Sequence, residues 1–98
     1  MNKKLRKAAD FSEYLGEKLK NPKIRKYYYV YGKQLEVAYQ ILKMRKARKL
    51  SQADLAKKLG SHQSDIARME AGQQNFTTDT LQKICQALNC RLRIELIK

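Results

Sequence analysis

A few side chains near the middle of the chain could make hydrogen bonds to nucleic-acid bases. Gln63 carries a donor and an acceptor that match N6 and N7 of adenine, and Arg68 carries donors that match O6 and N7 of guanine. Ser64 and Ala67 lie within the same two helical turns, where Ala67 could contact a thymine methyl group or simply let another helix pass close by. If this segment is a helix, the four side chains can reach the base edges of one groove together.

The sequence lacks the residue groups that enzyme sites require. We find no paired carboxylates at one site, no nucleophile beside a base and no glycine-rich phosphate loop. His62 has no partner that would make it catalytic, and Cys85 and Cys90 lack the other ligands of a metal tetrad. We therefore expect a protein that is not an enzyme and that needs no metal and no cofactor.

Residues 50–72 predict two short helices joined by a tight turn. Ser51 and Asp54 form a capping box at the start of the first helix, and Gly60 ends it. Ser61 is expected to cap the second helix, which starts near His62. The apolar residues at helical spacing in this segment are Leu55, Ala56, Leu59, Ile66 and Met69.

The pattern SQxxLAxxLGxxQSxIxRxExG in this segment resembles the helix-turn-helix of the Xre-type repressors, which include the lambdoid phage repressors. The resemblance spans roughly residues 35–90. It implies that the helix from about His62 to Glu70 enters the major groove. It also implies that Gln63 reads an adenine and is braced by Gln52, which holds a backbone phosphate as well.

The same resemblance implies an ion pair between Arg45 and Glu70, the alternative being two independent surface charges. Lys43 and Lys46 belong to a basic run whose charges must face solvent or phosphate. The full set of expected phosphate contacts is Ser51, Gln52, Lys43, Lys46, Gln73, Gln74 and Asn75.

The formal charge of +13 is concentrated in the first half of the chain. Residues 1–50 carry 15 Lys and Arg against 4 Asp and Glu, whereas residues 51–98 carry 7 against 5. This imbalance favours a polyanionic partner, nucleic acid above all, although a solvated basic face is the alternative. The sequence contains neither an apolar run long enough to span a membrane nor the apolar stretch of a signal peptide, so we expect a cytoplasmic, nucleoid-associated protein.

Two helices are predicted ahead of the repressor-like core. Asp10 is expected to cap the first, Asn21 and Pro22 to begin the second, and Gly32 to interrupt the chain before the core. Their apolar and aromatic side chains could pack on the core or form a protein interface, and the tyrosines could stack on unpaired bases. The candidates for a protein interface are Phe11, Tyr14, Leu15, Leu19, Tyr27, Tyr28 and Tyr31.

The last eight residues, 91–98, change from helical spacing to strict alternation, after a helix that Thr77 caps and Asn89 ends. A lone strand needs a partner, and a two-fold axis through Ile94 would pair it with the same strand of a second copy. The residues of this expected dimer strand are Leu92, Arg93, Ile94, Glu95 and Leu96. In that register Arg93 of each copy lies opposite Glu95 of the other, so we expect a homodimer that binds paired half-sites.

The order of the outer segments extends the resemblance. FxxYLxxxLxxP, a linker helix, SQxxLA and a terminal LRIELI together resemble the HigA-type antitoxins of bacterial toxin-antitoxin modules. This resemblance implies repression of the protein's own operon and neutralisation of a RelE-like or HigB-like mRNA-cleaving toxin by the N-terminal residues. Antitoxin segments that cover basic toxins are usually acidic, whereas residues 1–50 here are basic.

Taken together, the sequence predicts an all-α protein with a five-helix Xre-type domain at residues 33–90. A helical extension at residues 1–32 is the candidate toxin-binding segment, and residues 91–98 are the dimerising β-strand. The leading hypothesis is an antitoxin that also represses its operon by binding double-stranded operator DNA. A free-standing repressor without a toxin and an RNA-associated binding module remain as alternatives.

Overall fold

The computed structural model describes the backbone of residues 3–98 and the side chains of residues 11–98 other than 27 and 29–31. The regular structure of this part is helical, in agreement with the predicted all-α class. In chain order the helices are α1 (Lys3–Lys18), α2 (Pro22–Ala47), α3 (Gln52–Leu59), α4 (Gln63–Glu70) and α5 (Thr78–Ala87).

The second half of α2 packs with α3, α4 and α5 around one apolar core. Each helix contributes residues from one face, as the helical spacing of the apolar positions requires. The buried members of this core are Ile41, Leu55, Ala56, Ile66, Met69, Ile84 and Leu88. Because they come from four helices, the core fixes α4 relative to α2, α3 and α5.

Each of the four helices of the core is followed, within two residues of its end, by a residue with left-handed backbone conformation. These residues are Lys49 (φ 57°), Gly60 (φ 66°), Gly72 (φ 73°) and Asn89 (φ 53°). In each case the following backbone N–H donates to a carbonyl five residues earlier, for example Cys90 to Cys85 at 2.9 Å. Gly60 and Asn89 are helix ends that the sequence predicts, and Gly72 is of the same residue type as Gly60, whereas a lysine at such a position is uncommon.

Helix α4 begins one residue later than predicted. The backbone N–H of Ser61 donates to the carbonyl of Ala56 at 2.9 Å, so Ser61 closes α3. Its buried Oγ atom accepts no hydrogen bond from the next helix, so Ser61 does not cap that helix. His62 is the N-cap of α4, and its backbone N–H donates to Oδ2 of Asp65 at 2.9 Å.

The N-terminal extension differs from the prediction at two points. α1 begins at Lys3, so Asp10 lies inside the helix and is not its cap. α2 continues through Gly32, which places the predicted boundary between residues 32 and 33 inside a helix. A single glycine costs a helix interior only about 1 kcal/mol, too little to interrupt a helix of 26 residues.

α1 packs on α2 through aromatic rings. The ring centroid of Tyr39 lies 5.4 Å from that of Phe11 and 4.6 Å from that of Tyr14, and Tyr39 is buried. The turn between the helices is also fixed, because Nε of Arg25 donates to the carbonyl of Leu19 at 3.1 Å. The extension is therefore joined to the core and is not a separate unit.

Residues 91–98 form neither a helix nor a strand in the described chain. The predicted C-terminal β-strand is therefore not present in a single copy, because a strand is defined by hydrogen bonds to a neighbouring strand and the described helices offer none. Arg93 and Glu95 form an ion pair with each other instead. The side chains of Ile94, Leu96 and Ile97 are exposed to solvent.

Candidate nucleic-acid interface

Helix α4 buries one side and exposes another. Ile66 and Met69 enter the core, whereas the four predicted base-reading residues are exposed to solvent. These four residues are Gln63, Ser64, Ala67 and Arg68. The structure thus collects the predicted base-reading side chains on the accessible side of one two-turn helix.

Arg68 is engaged within its own helix. Its Nη2 atom donates a hydrogen bond to Oδ1 of Asp65. The Asp65 carboxylate also accepts a hydrogen bond from the backbone N–H of His62. These hydrogen bonds, the backbone one first, lower the pKa of the Asp65 carboxyl below its ordinary value. Because the Arg68 side chain remains 64% exposed, it can turn towards a base by giving up one surface contact.

A buried ion pair holds the end of α4 against the end of α2. Nε of Arg45 lies 2.6 Å from Oε2 of Glu70, and Nη2 lies 2.9 Å from Oε1, so the contact is bidentate. Nη1 of Arg45 donates to the carbonyl of Leu50 at 2.8 Å. Arg45 and Glu70, whose pairing the sequence predicts, are only 8% and 5% exposed. The hydrogen bonds that Arg45 donates to the Glu70 carboxylate raise the pKa of Arg45.

Gln52 extends this pair to the start of α3. Its Nε2 atom donates to Oε1 of Glu70 at 3.2 Å, whereas the family resemblance implied a contact with Gln63. Gln52 occupies the first turn of α3, where backbone N–H groups have no helical acceptor and favour an anion. The side chain is therefore anchored to α4 at a place where a phosphate is favoured.

Ser51 forms the predicted capping box. Its Oγ accepts the backbone N–H of Asp54 at 3.0 Å, and the Asp54 carboxylate accepts the N–H of Ser51 at 2.9 Å. These contacts lower the pKa of Asp54. The backbone N–H of Ser51 is the main cause of this lowering, and a hydrogen bond from the Ser51 side chain adds to it.

The other predicted phosphate contacts lie on α2 and in the loop after α4. Lys43 and Lys46 are exposed on either side of Arg45, and Nζ of Lys43 lies 5.8 Å from the ring centroid of Tyr39. In the loop, Gln73 and Asn75 are exposed and Gln74 is half-buried. Oδ1 of Asn75 accepts a hydrogen bond from Nε2 of Gln34, which ties the loop to α2.

Arg48 has a role that the sequence did not predict. Its Nε and Nη2 atoms donate to the carbonyls of Leu88 and Asn89, both at 2.9 Å. A positive charge at the C-terminal end of a helix is favourable, so Arg48 joins the end of α2 to the end of α5. In the sequence Arg48 is one of several charges in the basic run, and only its position in the fold distinguishes it.

The predicted protein-binding side chains of the extension are largely used for packing. Phe11 and Tyr14 contact Tyr39, and the side chains of Leu15, Leu19 and Tyr28 are half-buried. Burial, followed by the nearby charge of Glu70, raises the pKa of Tyr14. The predictions for the side chains of Tyr27 and Tyr31 fall outside the described residues.

Among the described residues, the His, Cys, Asp and Glu side chains form no group of three or more that could hold a metal ion. Burial, and then a hydrogen bond with Cys90, raises the pKa of Cys85 to about 11, so this thiol is protonated at neutral pH. None of the described helices is both long and apolar enough to cross a membrane.

A family model described as helix-turn-helix matches residues 41–94, more than half of the chain. This chain belongs to the Xre-like helix-turn-helix family. The Xre-type assignment is confirmed, and the protein is a DNA-binding transcriptional regulator. The match begins within α2, so α1 and the first part of α2 lie outside the family domain.

A solved structure also resembles this helix-turn-helix protein. The restriction-modification controller protein C.AhdI from Aeromonas hydrophila is 28% identical, with a TM-score of 0.59 over 62% of this chain and 88% of that one. A search of curated proteins finds no match. These comparisons support the helix-turn-helix family and give no support to the HigA-type antitoxin subtype.

Proposed function

We propose that this protein is a free-standing Xre-type repressor that inserts α4 into the major groove of double-stranded operator DNA. The observation that carries the proposal is the position of α4. Its polar side is exposed, and its last residue, Glu70, is fixed by two side chains from other helices, Arg45 and Gln52. A recognition helix held in this way presents base-reading side chains with little freedom to shift.

The chemistry of the exposed side of α4 suits base reading. The amide of Gln63 can bond to adenine N7 and N6, and Arg68 can bond to guanine O6 and N7 after leaving Asp65. Ala67 contacts a thymine methyl group, and Ser64 reaches a neighbouring base edge. These roles make sequence specificity depend on α4.

Affinity comes mainly from the surrounding phosphate contacts. We assign these to Ser51 and Gln52 at the start of α3, to Lys43 and Lys46, and to the loop residues Gln73, Gln74 and Asn75. Each cation that neutralises a phosphate releases counterions, so binding should weaken steeply as salt rises.

Toxin neutralisation is the less favoured function. The similar solved structure is a restriction-modification controller protein, which agrees with a regulator that works without a toxin. Phe11 and Tyr14, two of the expected toxin contacts, are used in packing. A small ribonuclease that co-purifies with the tagged protein from its host would reverse this preference.

We propose further that the repressor is a homodimer joined through residues 91–98. The exposed Ile94 and Leu96 would be covered by the same segment of a second copy. In an antiparallel pair about Ile94, Arg93 lies opposite Glu95 of the partner in both directions. Such a dimer presents two copies of α4 to half-sites one helical turn apart.

The function is tested by selecting a bound sequence from a pool of random duplexes and then replacing Gln63. Gln63→Ala should weaken binding to the selected duplex by about 1–3 kcal/mol, roughly 5- to 150-fold, because one bidentate base contact is lost. Binding to random DNA should stay nearly constant, since that binding depends on phosphates.

Gln82→Ala is the matched control, because Gln82 is an exposed glutamine on α5. It should leave both affinities unchanged. If Gln63→Ala lowers binding to selected and random DNA equally, Gln63 does not read a base. If no sequence is enriched from the pool, the repressor function is wrong.

A further inference from the structure

We infer that residues 18–33, which we call the basic arm, form a second DNA-contacting surface that binds phosphates flanking the recognised half-site. The arm comprises the end of α1, the turn and the first part of α2, and it lies outside the family domain. This inference rests on the proposed function, since it assigns a role to a surface beside the same bound DNA.

The basic arm is rich in positive charge. The basic arm contains six Lys and Arg residues and no Asp or Glu. All six are exposed, namely Lys18, Lys20, Lys23, Arg25, Lys26 and Lys33. Six exposed positive charges within sixteen residues attract a polyanion.

Part of the charge of the basic arm is not neutralised by the side chains that the structure describes. Lys20 and Lys33 form surface ion pairs with Glu17 and Glu36, at 3.2 Å and 3.1 Å. Such exposed pairs are weak and can be exchanged for a phosphate. Lys23 and Lys26 form no ion pair with the side chains that the structure describes, so their charges are available to a partner.

The basic arm adjoins the loop that follows α4. Immediately after the arm, Gln34 donates a hydrogen bond to Asn75. Leu35 lies next to Gly72, so close that a Cβ added to Gly72 would be 2.5 Å from Cδ2 of Leu35. The arm therefore departs from the loop that follows α4, the loop to which we assign phosphate contacts. A polyanion held by that loop would lie close to the C-terminal end of the arm, next to Gln34.

The helical part of the basic arm has a length comparable to several base pairs of DNA. α2 is continuous through Gly32, so the arm is a rigid continuation of a helix that is anchored in the core. From Gln34 back to Pro22 it extends about 18 Å at 1.5 Å per residue. At 3.4 Å per base pair this is about five base pairs, enough to meet phosphates beyond a half-site.

The double variant Lys23→Gln/Lys26→Gln tests the inference against two duplexes. One carries the selected site with ten base pairs on each side, and the other is trimmed to the site. On the long duplex, affinity should fall and the slope of log K against log salt should become shallower by up to about 2, because two phosphate contacts are lost. The trimmed duplex should be bound as tightly as by the original protein.

Lys57→Gln/Lys58→Gln is the matched control, since it removes two exposed neighbouring lysines from the last turn of α3. It should leave the slope and the difference between the two duplexes unchanged. Thermal unfolding should be the same for both variants, because the four side chains are exposed.

An unchanged salt slope on the long duplex would overturn the inference, as would an equal loss on both duplexes. So would intact DNA binding together with lost binding to an acidic protein or to single-stranded RNA, because the arm would then serve another partner. These results are distinct from failure of the proposed function, which would appear as a lack of sequence selection by the original protein.

Discussion

The contact between Arg45 and Glu70 joins the end of one helix to the end of the recognition helix. Both side chains are removed from water, which is costly for charged groups, and their hydrogen bonds repay that cost only while both partners are present. The pair therefore contributes little net stability, and its main effect is to hold α4 in one position relative to α2. Gln52 also donates to Glu70, so the start of α3 is held in the same way.

We predict that Glu70→Ala lowers the free energy of unfolding by about 3–5 kcal/mol, because it leaves the Arg45 guanidinium buried without its carboxylate. Arg45→Met should be costly for the converse reason. The double variant Arg45→Met/Glu70→Leu should lose clearly less than the sum of the two single losses, since no uncompensated charge remains. Urea unfolding of the four proteins measures this coupling.

Additive losses in that cycle would contradict the coupling and indicate two independent charges. Lys83→Ala serves as the control for removing a surface pair, because its contact with Asp79 is exposed. It should change the free energy of unfolding by at most about 1 kcal/mol.

At this scale the sequence predicts those residues whose role is local or belongs to a recognised motif. The capping contacts of Ser51 and Asn21 follow from residue type and spacing, and Arg45 with Glu70 follows from the family resemblance. The contacts of Arg48 with the end of α5 and of Gln34 with Asn75 join positions about 40 residues apart. No local pattern distinguishes Arg48 from its basic neighbours, so only the fold reveals its role.

Among the secondary-structure elements, α3 and α4 are both short and both begin with a carboxylate that accepts a backbone N–H. Asp54 binds the N–H of Ser51, and Asp65 binds that of His62, each at 2.9 Å. A helix of eight residues has few internal hydrogen bonds, so the contacts at its first turn matter for its stability. Only the ionised carboxylate is fully effective in this role.

We predict that acid destabilises the protein partly through these two carboxyls. The pKa of each is lowered in the folded state, so their stabilising contribution is complete above the ordinary carboxyl pKa of about 4. It is lost as the pH falls through the lowered values. Asp54→Asn/Asp65→Asn should be less stable at neutral pH and should lose less further stability between pH 5 and pH 2.

Chemical unfolding over that pH range provides the measurement. Asp79→Asn is the control, because Asp79 contacts the Lys83 side chain and not a helix-capping N–H. Its pH dependence should follow that of the original protein. If the double variant also follows the original curve, the capping carboxylates do not contribute to the acid response.

The predicted helical segments are helical in the structure, but some of their predicted boundaries are wrong. Ser61 has the residue type of a cap, yet it closes α3 and its Oγ atom accepts no hydrogen bond from α4. Gly32 has the residue type of a helix breaker, yet α2 passes through it, where a Cβ would lie 3.2 Å from the ring of Tyr28 in the same helix. The local sequence permits two conformations at each position, so residue type alone does not fix either boundary.

On the scale of the whole molecule, the last eight residues contain the large apolar side chains that are most exposed in the described chain. The side chain of Ile94 is 60% exposed and that of Leu96 is fully exposed, and both lie on the same face if the segment is extended. Exposed apolar residues in such a segment favour pairing with another strand. A second copy can supply that strand with complementary charges.

We predict that removal of residues 91–98 converts the dimer to a monomer, as measured by sedimentation equilibrium. Arg93→Glu should weaken the dimer, because it places a glutamate opposite Glu95 of the second copy and replaces two attractive pairs, each contributing about 0.2–1 kcal/mol, with repulsive ones. The exchange variant Arg93→Glu/Glu95→Arg restores opposite charges at every pair and should recover most of the association. A dimer mass that persists after the deletion would place the interface elsewhere. Recovery by the exchange variant would show that the two copies pair in the register centred on Ile94, because in a register centred on Arg93 that residue would face its own counterpart.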